Sequence, residues 1–339
     1  MTVADYGRRA RRAAADPALA WRTIRSRHLH GLFVDIGHDP GAAVLVAGSA
    51  RSGTTWLASI INHDNAYRYV FEPFRPNRLD AARAFGTRRY IRPGDDDPAT
   101  MLAARDILSG RVRGRWSDQM NRKIVARRRL VKDIWANLLL GWIHEAFPQT
   151  PIVFLLRHPC AVVSSQARLD WGWLVDVDDL LRQDSLVEDH LLPQRDVLAA
   201  AVSPFQRHLV TWCVENLVPL RQLSSDRVHV MFYEHLCADP VLETERLFRF
   251  LGRPIRREHA LRAVSRPSVA ARSHSAVVTG RGLVDAWVSQ VDPADRRYAV
   301  RTLEAFGMDG LYGEDPRPLV LAGSAGLASG AQPSRERLG

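Results

Sequence analysis

Short and nearly uninterrupted apolar runs punctuate this chain, and each stops abruptly. "AVLVAG" (43–48) closes on Gly48, "YRYVFEP" (67–73) on Pro73, and "PIVFLLRHP" (151–159) on Arg157, His158 and Pro159. "RVHVMFYEHL" (227–236) is a further run of the same kind. Runs this short and continuous predict strands buried on both faces, as in a parallel sheet. Between them the period changes. "TTWLASIINH" (54–63), the later part of "LVKDIWANLLLGWIHEAF" (130–147) and "SPFQRHLVTWCVENLVPLRQL" (203–223) place apolar residues at helical spacing. A helix is expected from about Ala161, and another over "PVLETERLFRFLG" (240–252), closed by Gly252. Strands alternating with helices predict an α/β fold: a mainly parallel central sheet with helices on both faces.

Elsewhere the pattern is weak. Residues 77–130 are polar, Arg-rich and broken by "PGDDDP", and read as surface helices and loops. Residues 168–205 lack a clean period, carry the acidic "DVDDL", and read as a helical insertion or lid. Residues 1–40 form a basic, Ala-rich helical segment, and residues 316–339, rich in Ala, Gly, Ser and Pro, read as a disordered tail. The main domain is expected over 41–315.

Composition narrows the partners. Forty-seven Lys and Arg against 37 Asp and Glu leave a net charge of +10, which suits an anionic ligand. Cys160, Cys213 and Cys237 are widely spaced and odd in number, so neither a disulfide framework nor a metal site is expected. A reducing, cytoplasmic location follows. No apolar run is long enough to cross a bilayer. The N-terminal segment has no apolar core of a signal peptide, although its basic residues would allow weak contact with an anionic membrane surface.

Ligands of open parallel sheets bind beyond the carboxyl ends of the strands. That rule gathers Ser49–Thr55, Arg157 and Tyr233 into one cleft. "GSARSGTTW" lies where a strand passes into a helix. It offers backbone N–H groups, a helix dipole, the hydroxyls of Ser49, Ser52, Thr54 and Thr55, and a planar cation, Arg51. Gly53 permits close approach of a ligand. The Gly-Lys-Ser/Thr ending of a nucleoside-triphosphate loop is absent, which argues against a P-loop kinase or NTPase and against a metal ion at this loop. A non-catalytic protein binding anions or lipid through its basic segments is the other alternative. The Arg-rich segment lacks the interleaved aromatics of a nucleic-acid surface, so no nucleic acid is expected.

"GSARSGTTWL" resembles the 5′-phosphosulfate loop of sulfotransferases that use 3′-phosphoadenosine 5′-phosphosulfate (PAPS). "FLLRHPCAVVSS" is similar to that family's 3′-phosphate segment, with Arg157 ending a strand and Ser165 eight residues later. The resemblance implies a P-loop-like sulfotransferase fold, PAPS as co-substrate, its desulfated product PAP, and no metal. It also implies roles for softer matches. Trp56 and Tyr233, the latter in "VMFYEHLCADP", fall near the adenine. Arg281, in "GRGLVDAW", would contact the 3′-phosphate, although Gly280 stands where the family carries an Arg. The acceptor would be a hydroxyl, or amine, of a small molecule or saccharide.

Sulfuryl transfer, like phosphoryl transfer, passes through a loose in-line transition state and calls for orientation and charge stabilisation. Arg51 stands where many family members carry Lys, and would act as a fixed clamp on the leaving phosphate. Glu72, in "VFEPF", is similar to a Glu-Pro of the carbohydrate and tyrosylprotein branches. It is expected either to act as the base or to pair with Arg75 or Arg78. "LVKDIW" keeps Lys132 but lacks the His two places on that the small-molecule branch uses. This places the chain nearer the carbohydrate, tyrosylprotein and bacterial branches, with Lys132 either holding the sulfuryl group or lying on the surface. His63, on the helix after the loop, is the second candidate base, and it is expected to point away.

Overall fold

The computed structural model describes residues 32–172, 176–223, 227–265 and 284–320. Arg281 and most of the N-terminal segment and C-terminal tail lie outside them. The strands are β1 (Val34–Asp35), β2 (Ala43–Ala47), β3 (Arg68–Phe71), β4 (Val125–Ala126), β5 (Arg129–Lys132), β6 (Ile152–Leu156) and β7 (Val228–Phe232). Five of them form a sheet in the order β3-β5-β2-β6-β7, and every pairing is parallel. The first of these strands in sequence, β2, is central, with β5 on one side and β6 on the other. The chain therefore switches direction across the sheet at the end of β2, the position where such folds open a crevice.

The helices used below are α1 (Thr54–Ile61), α2 (Pro98–Leu108), α3 (Leu140–Ala146), α4 (Pro159–Ala167), α5 (Pro204–Gln222), α6 (Tyr233–Ala238), α7 (Pro240–Phe250), α8 (Arg257–Ser265) and α9 (Pro293–Ala305). Residues 177–199 form a chain of short helical turns. Strand alternation sorts the sheet's side chains into two cores. Leu45, Ala47, Val131 and Phe154 pack with residues of α2, α3 and α5. Val44, Val46, Leu130 and Leu155 pack on the other face with α1, α7 and α8. All five residues of β2 and of β6 are buried, and each fully buried Val or Leu contributes about 1.5–3 kcal/mol.

Three expectations change. The segment 77–130 is not confined to the surface. Phe85, Ile107 and Leu108 are buried in the main core, and β5 begins inside the segment at Arg129. Its arginines mask this in the sequence: most stay exposed, while Arg88 is buried over Trp135 and Arg129 is buried in β5. A two-stranded parallel pair, β1 with β4, also joins the end of the N-terminal segment to this region. Finally, β7 stops at Phe232 and Tyr233 opens α6. The apolar run "VMFY" continues across that boundary, so its period hides the turn.

Candidate functional site

Five carboxyl-terminal strand ends meet along one edge of the sheet. In sheet order they carry Glu72 after β3, Lys132 at the end of β5, the 48–53 loop after β2, Arg157 after β6 and Tyr233 after β7. Register brings Phe71 and Val46 opposite Lys132 from either side.

The loop owes its shape to two glycines and one strained residue. Gly48 (φ 149°) leaves β2 so close to the next strand that a Cβ would lie 2.4 Å from the Leu155 carbonyl oxygen. Gly53 (φ 99°) caps α1, and a Cβ there would lie 2.8 Å from the Tyr233 ring. Arg51 sits between them at φ 77°, a left-handed conformation that costs a non-glycine residue about 1–3 kcal/mol. The positive end of α1 faces this loop, and no acidic side chain lies in the helix's first turn.

The second predicted anion segment lies against the first. Arg157 Nη1 donates to the Arg51 carbonyl oxygen at 3.1 Å. Arg51 Nε donates to Ser165 Oγ, in α4, at 3.0 Å. The Arg157 guanidinium lies over the Tyr233 ring, 4.2 Å from its centroid, and that of Arg51 lies 5.6 Å from the Trp171 ring. Ser52 Oγ is buried and has no hydrogen-bond partner among the described residues. A polar atom so placed calls for a ligand or water. Thr54 is buried at the start of α1, and Thr55 beside it is partly exposed.

Other predicted residues take more specific places. Ser49 is fully buried, and its hydroxyl accepts from Asn216 Nδ2 at 3.0 Å. Trp56 is buried, donates its indole N–H to the Val264 carbonyl oxygen at 3.2 Å, and meets the Tyr233 ring edge-on at 5.6 Å. Burial pushes the Tyr233 hydroxyl's pKa up, with Arg157 acting against it. His63 lies past the end of α1 against Phe248, away from the loop.

Glu72 and Lys132 pair with each other. Lys132 Nζ donates to Glu72 Oε1 at 2.6 Å, and both side chains are almost fully buried. Lys132 is therefore not a surface residue, and Glu72 does not take Arg75 or Arg78 as its ion-pair partner. Those two arginines stack on Trp116 instead. Glu72 is held at φ 43° by its own N–H on the Lys132 carbonyl oxygen and by the Trp116 indole N–H on its carbonyl oxygen. Next to Lys132, Asp133 is fully buried. Its carboxylate accepts from the N–H groups of Phe74, Trp135 and Ala136, and so ties the turn after β3 to the turn after β5. Burial, then the charge of Glu72, pushes the Asp133 pKa up to about 7.

Sequence reasoning missed the supports. Gln166 donates to the Ala50 carbonyl oxygen at 2.9 Å, while its Oε1 lies 2.7 Å from His208 Nδ1. With Asn216 it fixes the loop from α4 and α5. No local pattern reveals these partners. The adjacency of Gln166 to Ser165 was the one available hint. Among the described residues no group of His, Cys, Asp and Glu is arranged to hold a metal ion, and no helix is long and apolar enough to cross a membrane.

A parallel sheet, a glycine-shaped loop at its central strand and a second basic strand end folded onto that loop define an α/β protein with a basic cleft at the switch point of its sheet. The sulfotransferase family model matches residues 43–257, and the chain belongs to that family. A search of curated proteins gave no match. Among solved structures, the sulfotransferase domain of the Synechococcus PCC 7002 olefin synthase is 18% identical, with a TM-score of 0.45 over 78% of this chain and 94% of that one. Mouse sulfotransferase SULT7A1, solved with PAP, is 17% identical, with a TM-score of 0.41 over 84% and 90%. Retinol dehydratase, solved with retinol and PAP, is 17% identical, with a TM-score of 0.43 over 85% and 86%.

Proposed function

We propose that this sulfotransferase uses PAPS as donor, passes its sulfuryl group to a hydroxyl, or amine, of a small-molecule or saccharide acceptor, and releases PAP. The observation that carries the reading is the contact between the two basic segments: Arg157 on the Arg51 carbonyl, and Arg51 on Ser165. One bisphosphate can bridge groups so close together, and the buried, unpartnered Ser52 hydroxyl fits an anion at the same loop. Bound PAPS supplies the activated sulfuryl group.

The chain's own residues divide the remaining tasks. The start of α1, with Ser52, Gly53, Thr54 and Thr55, holds the 5′ end by backbone and hydroxyl donors. Arg51 clamps the leaving phosphate oxygen without giving up a proton. Arg157 and Ser165 hold the 3′-phosphate, and Arg281 joins them by resemblance. Trp56 and Tyr233 wall the adenine. The Ser49 hydroxyl, spent on Asn216, shapes the loop more than it touches the ligand. Glu72 receives the acceptor's proton at the carboxylate oxygen that Lys132 does not hold. Lys132 fixes that carboxylate and presents positive charge toward the sulfuryl group. The proton acceptor thus stands two strands from the phosphate loop, and the acceptor enters from the β3 side. A reducing, cytoplasmic setting is part of the same proposal.

Calorimetry with PAP tests the reading. The wild-type chain binds PAP at micromolar concentration or tighter. Arg157→Ala weakens that binding about tenfold or more, the effect of a lost charge-assisted contact. Unchanged affinity in the variant, or no binding by the wild type, removes the assignment.

A further inference from the structure

A cavity of about 590 Å³, walled by residues 76–81, 83 and 112–114, opens just after Glu72 in the chain. Its wall is linked to the Glu72 backbone through one indole. Trp116, two residues past the cavity wall, donates to the Glu72 carbonyl oxygen at 3.0 Å. Arg78, in the wall itself, lies over that indole at 4.7 Å. Arg75 lies 4.9 Å from the Trp116 ring and 5.2 Å from the Trp135 ring. Guanidiniums and indoles thus alternate from the cavity toward Glu72, an arrangement that holds several cations close together through cation–π attraction.

The wall is cationic. Arg78, Arg83 and Arg113 line it, with Leu79 and Val112 as its larger apolar side chains. Asp80 is the one carboxylate in the lining, and it is already paired with Arg83 at 3.0 Å in an exposed position. Behind the wall, Arg113 Nη2 lies 3.7 Å from Asp35, a carboxylate that Arg68 and Arg129 also share. Asp118 is bound to Arg68, and the charge of Asp39 also acts on Arg129. Arg113 Nη1 is buried and has no hydrogen-bond partner among the described residues. Burial, then the charge of Arg68, depresses the Arg113 pKa. An added anion would satisfy both the geometry and the charge.

We propose that the acceptor is itself an acid: a small hydroxyl compound whose carboxylate or phosphate group is held by Arg78, Arg83 and Arg113 while its hydroxyl reaches Glu72. The inference rests on the function proposed above and names the substrate class for the same site. Specificity then comes from an oxyanion subsite remote from the reacting oxygen. A neutral analogue leaves these guanidiniums unpaired and binds weakly.

The test uses three phenols with similar arms: tyrosol, which is neutral, tyrosol phosphate and hydroxyphenylpropanoate. Each is titrated calorimetrically into the PAP-saturated full chain, and into the double variant Arg78→Gln/Arg83→Gln. At least one of the two acids binds the wild type about ten times more tightly than tyrosol does, and the double variant loses that preference while keeping its PAP affinity. Whichever acid binds more tightly tells carboxylate from phosphate. The proposal is overturned if tyrosol binds as well as both acids, if no phenol binds, or if the double variant keeps the preference. In each of those outcomes intact PAP binding leaves the sulfotransferase reading standing, whereas loss of PAP binding by the wild type removes both.

Discussion

At the scale of single residues, two of the six described non-glycine residues with positive φ carry candidate chemistry. Arg51 and Glu72 both occupy the left-handed region that non-glycine residues avoid. Each is held there by neighbours: Arg51 through its carbonyl on Arg157, Glu72 through Lys132 and Trp116. Such strain persists where surrounding contacts over-determine it, and active sites are where it gathers. Glu72→Gln keeps the shape and a hydrogen-bond acceptor for Lys132 but cannot take up a proton at neutral pH. We expect kcat to fall about a hundredfold or more, the usual contribution of a general base, with PAP affinity within about twofold of wild type. Near-normal turnover in a variant that still binds PAP would strip Glu72 of the base role. An equal loss of PAP binding would show a damaged fold instead.

At the scale of elements, β3 does more than carry Glu72. Arg68, at its start, is fully buried and binds Asp35 of β1, Asp118 and the carbonyl oxygens of Gly110 and Val112. One side chain thereby fastens the 110–118 connection, including the cavity wall, to the sheet. Arg68→Leu strands two buried carboxylates and should cost about 3–5 kcal/mol, read as a lower urea midpoint with an unchanged slope. A cost near zero would mean that Arg113 and Arg129 suffice for both acids. Arg68 also shows where sequence reading stops. The strands β2 and β6 were legible because continuous apolar runs have few other uses, and the strand-to-helix junctions at 48–53 and 157–159 because their residues are contiguous. Arg68 looked like a polar residue in a strand. Its partners are 33 and 50 residues away, and nothing local points to them. Gln166 and Asn216 escaped for the same reason, since they reach Ala50 and Ser49 across 116 and 167 residues. The Glu72–Lys132 pair needed the register of β3 against β5, which no single-strand pattern contains. Tyr233 was placed at the correct edge but in the wrong element, because an apolar run does not mark the point where a strand bends into a helix.

Across the whole molecule, charge is managed by burial as much as by pairing, and this sets how stability responds to acid. His158 is stacked 4.2 Å from Trp287, His190 lies against Tyr90, and His208 lies beside Gln166. Burial lowers the pKa of each to about 4, against about 6.5 in an unfolded chain. Between those values the unfolded state binds protons that the native state refuses, so stability rises with pH across that window and is lost as pH falls through it. Each such histidine contributes a slope of up to about 1.4 kcal/mol per pH unit. Asp133 works in the opposite sense. With its pKa at about 7, the native state keeps a proton that the unfolded state releases above about pH 4, so its contribution falls as pH rises toward 7. His229 is lowered to about 4 in the same way, while Glu234 and Asp295 are raised in the same sense as Asp133; among the described residues these four imidazoles set the direction. Urea unfolding should therefore show a clear loss of stability from pH 7 to pH 5. Asp133→Asn, which removes the opposing group, should steepen that loss, and His158→Asn should flatten it. The His158 ring anchors the 311–315 segment, with Nε2 3.1 Å from the Gly313 carbonyl oxygen and the ring edge against Tyr312. Protonation puts a hydrogen on Nδ1, which in the native state accepts from the Cys160 N–H at 3.2 Å, so it should loosen the first turn of α4, exposing its amides to hydrogen exchange before the sheet opens. A stability profile flat from pH 7 to pH 5, unchanged by either substitution, would show that these imidazoles take up protons within the intact fold and that burial does not hold them neutral.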